Sequence, residues 1–320
     1  QRLKAWVLHD SKSESCGGSR MNSQVDVKQQ GLRLQDFLEL CKPSVVALML
    51  ITSLIGMLLA TDQMVPIDVL LLGNLGIALS AGSAAVVNHV VDQHIDEKMA
   101  RTANRPIARG RIEPWQAMLF ALAIGSIGLA ILLIFINALT AWLTLGSLVG
   151  YAFIYTMYLK RATPQNIVIG GLAGASPPLL GWTAVTGELH SHSLLLVLII
   201  FAWTPPHFWA LAVHRSEEYA KAKIPMLPVT HGKRYTIINI CLYTIILCLV
   251  SFLPFLTGML GWLYLFGAAT LGVGFVYWSL MMLKREGGDT GIKTFNYSIF
   301  YLTALFLVML LDHYLIANFV

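Results

Sequence analysis

The sequence predicts an all-α fold, a polytopic membrane helical bundle of about nine transmembrane helices, from three observations. The 320 residues are 56% hydrophobic and only 12% charged, about half the charge of a soluble domain. So long a chain has too little polar surface to cover itself in water, and a bilayer is its natural solvent. Nine stretches are apolar over roughly the 20 residues that a helix needs to cross a hydrocarbon core. All 22 Lys and Arg lie before the first stretch or in alternate connections after it, the segregation that orients a membrane chain.

Residues 1–34 form a polar segment expected to be disordered, of which 1–20 hold Ser, Gly and a lone Cys16 and show no apolar periodicity. Met21 is an alternative start, which would make 1–20 an extension foreign to the native protein. No short apolar segment with a small-residue cleavage site precedes residue 43, so no signal peptide is expected and 35–320 forms the transmembrane domain. Cys16, Cys41, Cys241 and Cys248 show no CxxC spacing. They argue against a disulfide framework or zinc site and read as small buried residues.

The spans are expected near 43–60, 67–90, 115–136, 138–158, 165–186, 193–213, 236–257, 261–283 and 295–316. Basic residues up to Lys42 precede the first. Lys98, Arg101, Arg105, Arg109 and Arg111 follow the second, and Lys160 and Arg161 the fourth. Arg215, Lys221, Lys223, Lys233 and Arg234 follow the sixth; Lys284, Arg285 and Lys293 follow the eighth. The connections near 61–66, 137, 187–192 and 258–260 hold none. The N-terminus and the basic loops are therefore expected in the cytoplasm and the C-terminus outside.

The second span runs into Asn88, Asp92 and Asp96. Each four-residue step turns a helix by about 400°, so the three share one face over about 12 Å. An amide oxygen and two carboxylates are hard ligands suited to Mg²⁺, which takes its remaining ligands from water and substrate phosphate. The alternative is that the two acids pair with Arg101 or Arg105 at the headgroups. Lys98, Arg101 and Arg105 follow at once, before Pro106. Acid for metal beside base for phosphate suits a metal-bridged diphosphate.

The run N-x-x-x-D-x-x-x-D-x-x-M-x-R-T-x-x-R-P from Asn88 to Pro106 resembles the first signature of the intramembrane UbiA-type prenyltransferases. Tyr155 to Gly171, Gly174 to Pro178, Trp203 to Leu211 and Ile224 to Pro228 resemble the haem-farnesylating branch of that superfamily, and the likeness covers nearly everything from about residue 35 onward. It implies transfer of the farnesyl group of farnesyl diphosphate to the 2-vinyl group of haem B, giving haem O, at the cytoplasmic side of the cell inner membrane. It implies Mg²⁺ as cofactor, held by Asn88, Asp92 and Asp96, with Arg101 and Arg105 completing the catalytic set. Lys98, Lys160, Arg161, Glu218, Tyr155 and His207 are implied as binding residues for the diphosphate, its metal or the other substrate. Partners beyond the lipid bilayer would be downstream haem-modifying or oxidase-assembly proteins; no nucleic acid is expected.

The resemblance has one gap. The second acidic pair of the superfamily falls on Glu218 and Ala222, so it is incomplete and a second metal is in doubt. Lys160 and Arg161 hold diphosphate by resemblance, or snorkel to headgroups. Pro205 and Pro206 are expected to break or kink the sixth span. That would free His207 to face a cavity or ligate haem iron, unless it only bonds a neighbouring helix. Trp203, Trp209, Tyr151 and Tyr155 line an isoprenoid channel or anchor helices. Gly170, Gly171 and Gly174 permit close helix packing. Two rivals stand: a prenyltransferase with a quinone-precursor, chlorin or other aromatic acceptor, and an ion-coupled transporter using Asp92, Asp96 and His94. Acids beside arginines at a helix end favour phosphate chemistry over ion transport.

Overall fold

The computed structural model describes residues 34–96, 105–159, 163, 165–221, 225–285 and 289–317, with the backbone alone at 94–96, 159 and 316–317. The expected polar segment therefore lies outside the described residues except for Leu34. Among the described residues every regular element is helical. The elements are α1 (Leu34–Leu40), α2 (Pro43–Leu59), α3 (Ile67–Asp96), α4 (Pro114–Ile131), α5 (Ala138–Val149), α6 (Asn166–Ala175) and α7 (Pro177–Thr186). They continue as α8 (Ser191–His214), α9 (Ser216–Lys221), α10 (Leu227–Thr230), α11 (Lys233–Ser251), α12 (Leu253–Leu256), α13 (Trp262–Lys284) and α14 (Asp289–Ala317). Among the described residues there are eight candidate membrane spans, or nine when α1 and α2, bent by 55° at Cys41–Lys42, count as one. The chain is a multi-pass membrane protein.

Local chemistry sets the ends of these helices. Pro43 and Pro114 sit in the first turns of α2 and α4, where a missing N–H costs nothing. Glu113 and Gln116 form a reciprocal capping box on α4. Asn137 alone makes the hairpin turn to α5: its Oδ1 accepts from Thr140 N at 2.8 Å and its Nδ2 donates to Thr183 O at 2.8 Å. At the same end of the bundle, buried Asp312 of α14 accepts from the backbone N–H groups of Gly261 and Tyr264 at the start of α13. A membrane-embedded carboxylate is thereby satisfied by a helix N-terminus.

The helices form a ring. α3 packs on α4 and α2 on α7; α8 packs on α6, α11 and α14; α13 packs on α11 and α14. The ring closes where α14 returns to α2, with Tyr314 Oη donating to Leu58 O at 3.0 Å. Close approach of α2 and α7 depends on two glycines. A Cβ on Gly56 would lie 2.1 Å from Pro178 O, and one on Gly181 would lie 2.0 Å from Ser53 O. Large apolar side chains such as Trp142, Phe135 and Val273 remain exposed around the outside, as lipid contact requires.

The expected break at Pro205 and Pro206 needs correcting. α8 runs unbroken through Pro205 and Pro206. The prolines remove two backbone donors, yet the flanking bonds and the packed neighbours keep the helix intact. The break falls in the fifth span instead, at Ser176, where the Ser176 hydroxyl donates to Ala173 O at 2.8 Å and Pro177 starts a new helix. α5 also passes into a π-helix over Gly150–Leu159, which apolar periodicity does not reveal.

Candidate active site at the polar end of an apolar cavity

A cavity of about 560 Å³ lies inside the ring, lined mainly by apolar side chains of α2, α3, α5, α6 and α8. Its polar end is bordered by Lys42 at the α1–α2 bend, Arg105 of the α3–α4 loop, and Tyr219 and Met226 beyond α8. There α3 delivers Asn88 and Asp92, both buried, one turn apart on the face turned to the cavity. Asn88 Nδ2 donates to Asp92 Oδ2 at 2.9 Å and lies 3.4 Å from Thr156 Oγ1, whose own proton goes to Tyr151 O at 2.8 Å. The π-helical end of α5 thus supports the acidic face of α3. π-Helical turns recur at functional sites because they re-aim side chains.

Two cations border that face. Arg105, just before Pro106 at the start of the described part of the α3–α4 loop, lines the cavity. Lys42, at the α1–α2 bend, lines it too, and its Nζ donates to Asn88 Oδ1. Lys42 has φ 51° and ψ 62°, the only non-glycine at positive φ among the described residues. Such a conformation costs about 1–3 kcal/mol and persists only where the surroundings enforce it. The bend itself is tied down by Asp36 of α1, which pairs with Arg111 of the α3–α4 loop; Glu39 adds a contact at 3.5 Å. One ion-pair cluster therefore connects the segments carrying Lys42 and Arg105.

Farther in, the walls are aromatic. Tyr151 and Tyr155 stack with centroids 5.4 Å apart. Gly170 makes room for Tyr155, since a Cβ there would lie 2.2 Å from its ring; Gly171 does the same for Thr204 at 2.9 Å. Gly170 and Gly171 thus act in packing, as expected, but Gly174 does not: a Cβ there would meet nothing within 4 Å. His207 of α8 is sandwiched between Trp203 at 4.1 Å and Phe295 at 4.5 Å. Its Nδ1 lies 2.6 Å from Ser298 Oγ of α14. The Ser298 hydroxyl proton goes to Phe295 O at 2.6 Å, so Nδ1 is the donor and Nε2 carries the ring's lone pair.

Of the residues singled out from the sequence, Asn88, Asp92, Arg105, Tyr155 and His207 come together on this one cavity. Glu218 does not: it is exposed on α9, off the cavity lining. Trp209 packs edge-on against Tyr243 at 5.4 Å, away from the lining. The side chains of His94 and Asp96, and Lys98, Arg101, Lys160 and Arg161 entirely, lie outside the described residues. Sequence reasoning passed over Lys42, Thr156, Tyr219 and Met226, all but Thr156 of which line the cavity. The signal for Lys42 was present, a Lys-Pro step opening the first span, but topology alone explained its charge.

Among the described residues no cluster of three His, Cys, Asp or Glu could hold a metal. The donor set is nonetheless a fit for magnesium. One amide oxygen and one carboxylate stand at a polar cavity end beside two cations, and Mg²⁺ commonly takes one or two protein ligands and completes its shell with waters and substrate phosphates.

The UbiA prenyltransferase family matches residues 49–308. A protoheme IX farnesyltransferase of Saccharophagus degradans is 70% identical over 282 residues, 88% of this chain and 93% of that protein. One of Teredinibacter turnerae is 64% identical over 299 residues, 92% and 96% of the two chains. In fold the chain is similar to a structure described as digeranylgeranylglyceryl phosphate synthase, with TM-score 0.76 and 21% identity over 88% of this chain and 98% of that one. It is also similar to an Archaeoglobus fulgidus UbiA homologue bound to GPP and Mg²⁺, with TM-score 0.58 and 16% identity over 86% and 99%.

Proposed function

The chain belongs to the UbiA prenyltransferase family, and from that premise we propose that it transfers the farnesyl group of farnesyl diphosphate to the 2-vinyl group of haem B, giving haem O. The observation that carries the reading is the placement of Asn88, Asp92, Lys42 and Arg105 together at the polar end of an apolar, aromatic-walled cavity. A diphosphate matches the polar end and an isoprenoid chain the apolar length. Relatives at 62–70% identity bear the name protoheme IX farnesyltransferase, which supports haem as the acceptor over a quinone precursor.

In this reading Asn88 and Asp92, with Asp96, hold magnesium, which when bound supplies positive charge to the leaving diphosphate. Arg105 and Lys42 contact the remaining diphosphate oxygens, joined by Lys98, Arg101, Lys160 and Arg161. As the C1–O bond breaks, its electron pair leaves with the diphosphate. Cations fixed in place stabilise that developing charge more than the ground state. The faces of Tyr151, Tyr155 and Trp203 shelter the allylic cation. The vinyl π pair forms the new C–C bond, and water adds to the resulting cation and loses a proton, leaving a hydroxyethylfarnesyl group. Glu218, exposed on α9 and off the lining, would act only through water or by orienting Lys221 or Arg215.

The basic loops lie at the same end as the site, which supports a cytoplasmic active site, a cytoplasmic N-terminus, an outer C-terminus and residence in the inner membrane. Downstream haem-modifying or oxidase-assembly proteins are the partners that this product implies. The test is direct. Purified protein is incubated with haem B, farnesyl diphosphate and Mg²⁺, and the pigment is identified by mass. A gain of one farnesyl and one hydroxyl group is expected; unchanged haem with every prenyl diphosphate length tried would reject the reading.

A further inference from the structure

On α3 the cavity lining follows one face of the helix, and its character changes with depth. Below Asn88 come only the small Ala85, Ala84, Ala81 and Ser80, and then Ile77, where the lining on this helix stops. Small side chains leave the middle of the cavity open. Ile77 and Leu180 of α7 line the cavity and also belong to one buried core with Met57 and Leu132. Both are almost fully buried, at 2% and 3% exposure. Beneath Ile77 the helix packs without spare room. A Cβ on Gly76 would lie 2.6 Å from the Leu132 side chain, and one on Gly73 would lie 2.8 Å from the Met57 side chain. The cavity therefore ends on Ile77 and Leu180 rather than running on through the bundle.

We propose that Ile77 and Leu180 form a floor that limits the transferred chain to the farnesyl length and so selects farnesyl over geranylgeranyl diphosphate. The inference rests on the prenyl-transfer reading of the site, with the diphosphate held at the level of Asn88. At 1.5 Å per residue, Ile77 stands about 16 Å below Asn88 along α3. An extended carbon chain advances about 1.2 Å per bond. The main chain of a farnesyl group then reaches about 13 Å, which leaves room for its terminal methyls, whereas a geranylgeranyl chain reaches about 18 Å. The longer chain would drive its last isoprenoid unit into Ile77 and Leu180. Both are wedged in a close-packed core, which resists added volume. Two side chains remote from the reacting carbon would thus decide length without entering the chemistry.

The test gives the full chain in detergent, with haem B and Mg²⁺, an equal mixture of geranyl, farnesyl and geranylgeranyl diphosphates, and the products are counted by mass. Wild type should favour farnesyl over geranylgeranyl by about tenfold or more in kcat/KM, the scale on which a closed apolar pocket rejects extra carbons. Ile77→Ala and Leu180→Ala together remove about as many carbons as one isoprenoid unit adds. Each alone should narrow the farnesyl preference about tenfold, and the double variant should reverse it. Ala81→Leu, one turn higher, raises the floor by about 6 Å and should move the preference the other way, to geranyl. Opposite shifts of this kind do not come from general damage to packing. If the alanine variants do not purify folded, Ile77→Val, with a smaller shift, and Ala81→Leu are held to the same criterion. A wild type that transfers geranylgeranyl as readily as farnesyl, or variants whose length preference does not move, overturns the inference and leaves the transfer reading standing. Binding of the unreactive S-thiolodiphosphates of the three lengths needs no haem and should give the same order. Loss of transfer with every length would therefore reject the transfer reading, while the binding order still decides for or against the floor.

Discussion

Asn88 and Asp92 are joined by a 2.9 Å hydrogen bond across one turn of α3, inside the bundle and facing a cavity. An amide that donates to a carboxylate fixes both side chains, so their outward oxygens are presented as a unit. Charged and amide groups this deep are costly unless they work, and the arrangement makes their contributions separable.

Asp92→Asn keeps the shape and removes the charge. The variant should lose about 100- to 1,000-fold in kcat with magnesium, since metal-borne charge on a leaving group is worth several kcal/mol and each 1.4 kcal/mol is tenfold. Steady-state turnover of farnesyl diphosphate with haem B measures it. Activity within a few-fold of wild type would remove Asp92 from the metal site.

Arg111→Ala tests whether the Asp36–Arg111–Glu39 cluster holds the entrance of the site together. Asp36 is buried, so removing its partner leaves a poorly solvated carboxylate. Loss of about 1–3 kcal/mol of stability is expected, less than for a fully buried pair because the Arg111 side chain is partly exposed. The segments carrying Lys42 and Arg105 would loosen together, so KM for farnesyl diphosphate should rise while KM for haem stays put. An equal rise in both would mean general unfolding rather than a positioned entrance.

Gly170→Ala and Gly146→Ala make a matched pair. A Cβ on Gly170 meets the Tyr155 ring at 2.2 Å, whereas one on Gly146 meets nothing within 4 Å. The first should cost about 1–3 kcal/mol by overpacking and displace Tyr155 from the cavity wall, reducing turnover. The second should leave activity intact and slightly favour its helix. Thermal melts in detergent and turnover of both variants decide the matter; a neutral Gly170→Ala would show that α5 and α6 can separate freely.

What the sequence disclosed and what it hid follow physical lines. The spans were readable because desolvating a backbone requires helices of fixed length, and the Asn88–Asp92 face because four-residue spacing survives in any helix. The bend sites were not readable. Pro205–Pro206 and Pro177–Pro178 carry the same breaking signal, yet the helix stays whole at the first and breaks at Ser176 before the second, where Gly56 and Gly181 let α2 and α7 close in. Tertiary packing, invisible to a local rule, decided between them. Lys42 was overlooked for another reason: its Lys-Pro step stands in the sequence, but a cation beside a membrane span is already accounted for by topology.

His207 supplies the last prediction. Its ring is stacked between Trp203 and Phe295, and Nδ1 is engaged by Ser298, which itself donates to Phe295 O. This fixes the tautomer and turns the lone pair onto Nε2, on a residue lining the cavity. A neutral imidazole with its lone pair presented is suited to a haem iron or to a polar group of the acceptor. His207→Phe keeps the aromatic stack and removes both nitrogens, so the wall survives while that contact is lost. Haem titration followed by the Soret band should show affinity reduced about tenfold or more, as loss of one good polar contact of about 1.4 kcal/mol gives. KM for farnesyl diphosphate should not change, because the diphosphate end lies with Asn88 and Arg105. Ser298→Ala should give a smaller loss of the same kind, by releasing the ring to choose either tautomer. Undiminished haem affinity in His207→Phe would confine His207 to packing and move the acceptor site elsewhere along the cavity.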